Sequence, residues 1–117
     1  MKVIRRVKAP DNSLELIVTR TGDVTSIGFA EFGWHVHPDM IGEIYYSDES
    51  PMPEPDAIER FISDIVSDRL PIGIRRMDGV VVSAWVCDKE SRQMYSIADP
   101  DVELRCWSGA PWTRIDS

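Results

Sequence analysis

Two histidines one residue apart are the side chains whose types and spacing most suggest chemistry. His35 and His37 are the only histidines among the 117 residues. In an extended strand, residues i and i+2 point to the same face, so both imidazoles can face one object. Neutral imidazoles bind Zn²⁺, Fe²⁺ or Cu²⁺, and a nearby carboxylate such as Glu43 would add a third ligand. The sequence therefore permits a metal site formed by His35, His37 and Glu43.

Other catalytic patterns are weak or missing in the sequence. There is no Gly-x-Ser-x-Gly turn, phosphate-binding loop or dinucleotide fingerprint. Carboxylates are abundant, but nothing in the pattern singles out two of them as an acid/base pair. Cys87 and Cys106 lie in apolar strand patterns, which favours reduced, buried thiols over a disulfide. We therefore assign no cofactor and no catalytic residue, and we favour a protein without enzymatic activity while leaving that question open.

The excess negative charge of the chain lies in one segment. The net charge is −7, and residues 39–68 contain nine Asp or Glu residues against a single base, Arg60. The segments before and after them are nearly neutral. Such a surface repels nucleic acid phosphates and attracts basic proteins, although a solvated acidic face is the simpler alternative. We expect a basic protein partner and no nucleic acid partner.

The elements that must position these groups follow from the periodicity of the apolar residues. Apolar residues from Ile58 to Val66 recur with helical spacing, and Pro71 predicts that this helix ends after Leu70. The rest of the chain reads as short strands joined by turns, including a hairpin at Asp78-Gly79. The predicted strands are Val3–Lys8, Leu14–Arg20, Val24–Phe32, Met40–Ser47, Ile72–Met77, Val80–Cys87, Arg92–Ile97 and Val102–Trp107. This order predicts an α+β fold, a largely antiparallel sheet of about seven to eight strands with one long amphipathic helix packed on one face.

Length and hydropathy indicate a single domain, residues 1–117. No apolar run approaches the roughly 20 residues that cross a bilayer. The basic start of the chain leads into no apolar segment, so we expect no signal peptide, no membrane association and a cytoplasmic location.

The segment from Phe32 to Asp39, the acidic helix after it and the hairpin that follows resemble a class of small bacterial proteins. These are the immunity proteins of polymorphic and contact-dependent toxin systems, many of which are acidic α+β domains. The resemblance covers about residues 25–87, and its distinctive element is the Trp34-His35-Val36-His37 stretch. It implies a non-enzymatic inhibitor that binds a basic bacterial toxin domain, for example a nuclease, through an acidic surface.

The surface expected to contact such a partner combines acidic groups with aromatic anchors. Its predicted members are Trp34, His35, His37, Asp39, Tyr45, Tyr46, Asp48, Glu49, Glu59, Asp64 and Asp68. Trp107 is expected in the core, whereas Trp34 and Trp112 fit the core and an interface equally well. Two alternatives to the inhibitor stay open: a small metal-binding protein or metal-dependent enzyme that uses the histidine pair, and a structural domain without chemistry.

Overall fold

The structure is a computed structural model, and it describes residues 1–46, 53–87 and 101–112. The predicted strand Arg92–Ile97 lies outside these residues. The fold is α+β, as predicted, and every strand pairing in the described residues is antiparallel. The strands within the described residues form two sheets of four and three strands, however, so the prediction of one sheet with seven to eight strands is wrong.

The first sheet is a meander in which each strand pairs with the next along the chain. Its strands are β1 (Lys2–Lys8), β2 (Glu15–Thr21), β3 (Val24–Phe29) and β4 (His35–Val36), in that spatial order. Alternate residues of β2 and the residue before it face the core, since Leu14, Leu16 and Val18 are all buried. The short β4 occupies the edge of this sheet and carries the first histidine.

The second sheet has β5 (Ile72–Met77) between β6 (Val80–Val86) and β7 (Val102–Arg105). The hairpin predicted at Asp78-Gly79 joins β5 to β6, and both turn residues have positive φ. The two sheets meet where β3 contacts β6. Their inward faces share one apolar core, to which Ile27, Phe29, Ile72, Ile74 and Val86 contribute. Trp107 belongs to this core, as predicted.

Residues 40–46 of the strand predicted over Met40–Ser47 are helical, and Ser47 lies outside the described residues. Helix α1 spans Pro38–Ile41, and a π-helical turn, Gly42–Tyr46, continues it. Pro38 occupies the first helical turn and Asp39 complements the positive end of the helix dipole, so the sequence contained a start signal that the strand prediction overlooked. Pro38, Ile41 and Tyr45 are all buried, and their i, i+3, i+7 spacing is that of a helix, since a strand would turn residues three apart to opposite faces.

Helix α2 spans Glu54–Val66 and buries Ala57, Phe61, Ile62 and Ile65. It ends four residues before the predicted end at Leu70. The N–H groups of Asp68 and Arg69 donate to the carbonyl oxygens of Ile65 and Asp64, which is a Schellman motif. Asp68 adopts the left-handed conformation that this motif requires, with φ of 64°. The described residues thus contain two short helices and not a single long one.

Candidate functional site

The two histidines lie on either side of the last residue of β4. His35 pairs with Gly28 of β3, and His37 precedes α1 as its N-terminal cap residue. A Cβ on Gly28 would lie 2.4 Å from the carbonyl oxygen of Trp34 and 3.1 Å from the Cβ of His35. Only glycine therefore allows β4 to approach β3 this closely. This close approach sets the position of the Trp34-His35 segment.

Both imidazoles have fixed orientations and lie side by side, as the i, i+2 spacing predicts. Their ring centroids are 5.4 Å apart and their planes are inclined by 71°. The Nδ1 atom of His35 lies 3.2 Å from the carbonyl oxygen of Gly33, and that of His37 lies 3.0 Å from the carbonyl oxygen of Thr25. Because a carbonyl oxygen can only accept, both Nδ1 atoms donate the hydrogen bond. The hydroxyl of Ser26 also lies 3.2 Å from Nδ1 of His37.

The histidines line a cleft of about 250 Å³ at the junction of the two sheets. Aromatic and apolar side chains form the rest of its lining, which consists of Trp34, Val36, Met40, Ile44, Tyr45, Trp85 and Val86. His35 is exposed and His37 is half-buried, so the cleft is open to solvent on the histidine side. Met40, 45% exposed, adds an apolar side chain at the surface.

The predicted aromatic anchors occupy three different environments. Trp34 is half-buried and packs on Phe29, with ring centroids 5.4 Å apart, while it also lines the cleft. Tyr45 is only 4% exposed, and its hydroxyl donates to the carbonyl oxygen of Val86 at 3.0 Å. Tyr45 thus stabilises the core through this hydrogen bond, and it also lines the cleft. Trp112 is half-buried near the end of the described residues.

Tyr46 is held against helix α2. Its hydroxyl donates to Asp64 at 2.5 Å, and the guanidinium of Arg60 lies 3.7 Å from its ring centroid. Burial raises the pKa of Tyr46, and the hydrogen bond to Asp64 raises this pKa further. The phenol therefore stays protonated well above neutral pH. Tyr46 and Asp64, both predicted to contact a partner, contact each other.

The acidic segment is less uniform than the sequence predicts. Glu59 forms an ion pair with Arg5 of β1, Asp64 with Arg69 at 3.3 Å, and the Asp68 carboxylate accepts the N–H of Ser108. Two of these carboxylates are therefore paired with arginines and the third accepts a backbone N–H. Asp39, Glu54 and Asp56 are exposed and form no ion pair within the described residues. Asp48 and Glu49 lie outside those residues.

No third metal ligand accompanies the histidines in the part of the chain that the structure describes. Within it, no group of three or more His, Cys, Asp and Glu side chains is arranged to hold a metal ion. The side chain of Glu43, the predicted third ligand, lies outside the described residues. Cys87 is buried, as expected, whereas Cys106 is half-buried, and the two cysteines do not form a disulfide with each other. Burial raises the pKa of Cys106, and the nearby Asp68 raises this pKa further.

A polar network around β7, the edge strand of the second sheet farther from the cleft, escaped the sequence analysis. The guanidinium of Arg105 is buried, and it donates to Asp11 and to the Ser13 hydroxyl, each at 2.9 Å, and to the carbonyl oxygens of Cys106 and Trp107. Ser13 also donates to Asp11 from its hydroxyl. The sequence separates these partners by more than 90 residues, so no local pattern could have joined them. The network ties the loop after β1 to the end of β7.

Comparison with known proteins gives no further guide to the site. No protein-family model, curated protein or solved structure matches this chain. Among residues 1–46, 53–87 and 101–112, none of the helices has the length and apolar character needed to span a bilayer. The chemistry of the cleft is therefore the basis for assigning a function.

Proposed function

We propose that this chain is a non-enzymatic protein-binding module of the immunity-inhibitor type. Its partner on this proposal is a basic bacterial protein, such as a nuclease-type toxin domain. The observation that supports this most directly is the solvent-open cleft walled by Trp34, His35, His37 and Met40. Protein interfaces place their strongest contacts in small, well-packed pockets, and tryptophan is the residue type most enriched there.

The residue types in the cleft favour a cationic side chain as its occupant. Aromatic faces such as that of Trp34 attract lysine and arginine groups, and the cleft of about 250 Å³ has room for one side chain. The exposed carboxylates Asp39, Glu54 and Asp56 supply the complementary charge in place of the full segment 39–68. The net charge of −7 adds long-range attraction for a basic partner.

The decisive test measures binding to the polypeptides encoded immediately beside this chain, because a toxin and its inhibitor would be inherited together. We expect one of these polypeptides to be basic and to form a stable complex with the purified chain. Trp34→Ala should raise the Kd about 30-fold, corresponding to a lost contact of about 2 kcal/mol. Surface plasmon resonance measures the Kd of the wild type and of the Trp34→Ala variant.

Matched variants separate the cleft from other exposed apolar groups. Met40→Ser, which changes the cleft, should also raise the Kd. Met77→Ser changes an equally apolar side chain that is 63% exposed and does not line the cleft, so it should leave the Kd unchanged. Failure of every neighbouring polypeptide to bind would contradict the inhibitor proposal. Equal effects of the two methionine variants would exclude the cleft as the contact site.

A further inference from the structure

The hydrogen bonds of the two histidines determine which ring nitrogen is available to a ligand. Each Nδ1 atom donates to a backbone carbonyl oxygen, Gly33 for His35 and Thr25 for His37. In a neutral imidazole whose Nδ1 carries the hydrogen, Nε2 carries the lone pair. Metal-binding histidines are commonly held in this way, with the second ring nitrogen donating to a carbonyl or carboxylate oxygen. Both rings therefore have the tautomer that a metal site requires.

The separation of the rings also suits a shared ion. Two imidazoles that bind one tetrahedral Zn²⁺ with Zn–N distances of about 2.0–2.1 Å have ring centroids roughly 5 Å apart. The observed separation is 5.4 Å, and the inclination of 71° excludes simple face-to-face stacking. Since His35 is exposed and the cleft opens to solvent beside it, an ion can reach the pair without unfolding.

We propose that the Nε2 atoms of His35 and His37 bind one Zn²⁺ ion in the cleft. Among the described side chains no third His, Cys, Asp or Glu ligand lies beside the pair, which leaves positions on the ion for water or an external group. Such a site is open, and a bound ion can accept a ligand atom from another molecule. The test of this proposal needs only the isolated chain and no protein partner, whereas the inhibitor function concerns the metal-free protein, because a bound ion would repel a cationic side chain from the same cleft.

Nuclear magnetic resonance of the tag-free, ¹⁵N-labelled chain tests this site directly. Long-range ¹H–¹⁵N spectra distinguish Nδ1 from Nε2 in each ring, so they also verify the tautomers. On addition of one equivalent of ZnCl₂, we expect both Nε2 signals to shift and both Nδ1 atoms to remain protonated. Calorimetry should give one ion per chain, and a hard cation such as Mg²⁺ should produce neither effect.

Conservative variants decide whether both rings bind the ion. His35→Gln and His37→Gln should each weaken Zn²⁺ binding by at least about tenfold. The exposed position of His35 makes its variant safe for folding, and the amide spectrum of each variant checks this. Zn²⁺ binding that persists in the double variant, a shift confined to one ring, or unchanged spectra would each overturn the proposal. None of these results would bear on binding of a protein partner to metal-free protein.

Discussion

Gly73 of β5 lies directly opposite Trp85 of β6, and the indole ring covers the glycine. A Cβ at position 73 would lie 2.5 Å from Cε2 of Trp85, closer than any side chain tolerates. Trp85 is half-buried and lines the cleft beside the histidines. Because residue 73 has no side chain, the Trp85 indole can lie over β5, and this position of the indole helps to shape the cleft.

Gly73→Ala should destabilise the protein by about 1–3 kcal/mol, because the added methyl group forces Trp85 or the strand to move. Urea denaturation followed by circular dichroism measures this change. Gly33→Ala is the matched control, since a Cβ there meets nothing within 4 Å, and it should change stability by less than about 0.5 kcal/mol. A Gly73→Ala variant as stable as the wild type would show that the indole has room to shift.

Substitution of Asp68 should change the stability of the fold as well as the surface charge. Its left-handed conformation ends α2, and its carboxylate accepts the N–H of Ser108 at 3.0 Å. Asparagine tolerates this conformation and retains the acceptor, so Asp68→Asn should stay within about 0.5 kcal/mol of the wild type. Alanine disfavours the left-handed conformation and has no acceptor for the Ser108 N–H. Asp68→Ala should therefore lower the free energy of unfolding, measured in urea, by about 1–2 kcal/mol. Equal stabilities of the two variants would assign Asp68 no structural role.

Arg105 should be among the residues most sensitive to substitution. Arg105→Met removes the donors that satisfy Asp11, Ser13 and two backbone carbonyl oxygens, and we expect a loss of about 1.5–3 kcal/mol. Arg76→Met, which breaks the exposed pair with Glu103, is the control and should cost less than about 1 kcal/mol. The free energies of unfolding in urea compare the two. A smaller loss for Arg105→Met would contradict the role of the network.

The same network predicts how stability changes in acid. The hydrogen bond from the Ser13 hydroxyl lowers the pKa of Asp11, and the Ser13 N–H and Arg105 lower this pKa as well, while burial opposes them. A carboxyl group with a lowered pKa stabilises the fold above its unfolded pKa of about 3.9, and this contribution disappears as the pH falls through the folded value. The stability difference between wild type and Asp11→Asn should thus be constant from pH 5 to 7 and shrink below about pH 4. Unfolding curves across this range measure it, and a difference independent of pH would exclude Asp11 as the titrating group.

Local patterns predicted much of the fold and little of its assembly. Alternation revealed β2 and helical spacing revealed α2, because each depends on neighbours within one element. The start of α1 was missed because Pro38 and Asp39 precede a segment rich in Ile and Tyr, which are common in strands. The division into two sheets depends on long-range pairing, such as β5 with β7, which no local period encodes.

In the candidate site, too, local sequence patterns predicted what neighbouring residues do, and they did not predict the long-range contacts. The spacing of His35 and His37 predicted that they share a face, and the structure confirms that the rings are neighbours. Trp85 joins them from a different sheet, and nothing in the sequence near the histidines indicates it. Charge composition identified the acidic segment but could not show that Glu59 lies beside Arg5, 54 residues away.

The proposed steering of a basic partner should therefore depend on carboxylates that are exposed and outside the ion pairs. Asp39→Lys/Asp56→Lys should slow association with the partner polypeptide far more than dissociation, and should reduce the salt dependence of the association rate. Asp23→Lys/Glu31→Lys makes the same change in net charge at exposed acids outside the segment 39–68 and is the matched control. Stopped-flow or surface plasmon measurements at several salt concentrations separate the two rates. If both double variants slow association equally, total charge and not a local surface attracts the partner, and the acidic groups beside α1 and α2 have no special part in recognition.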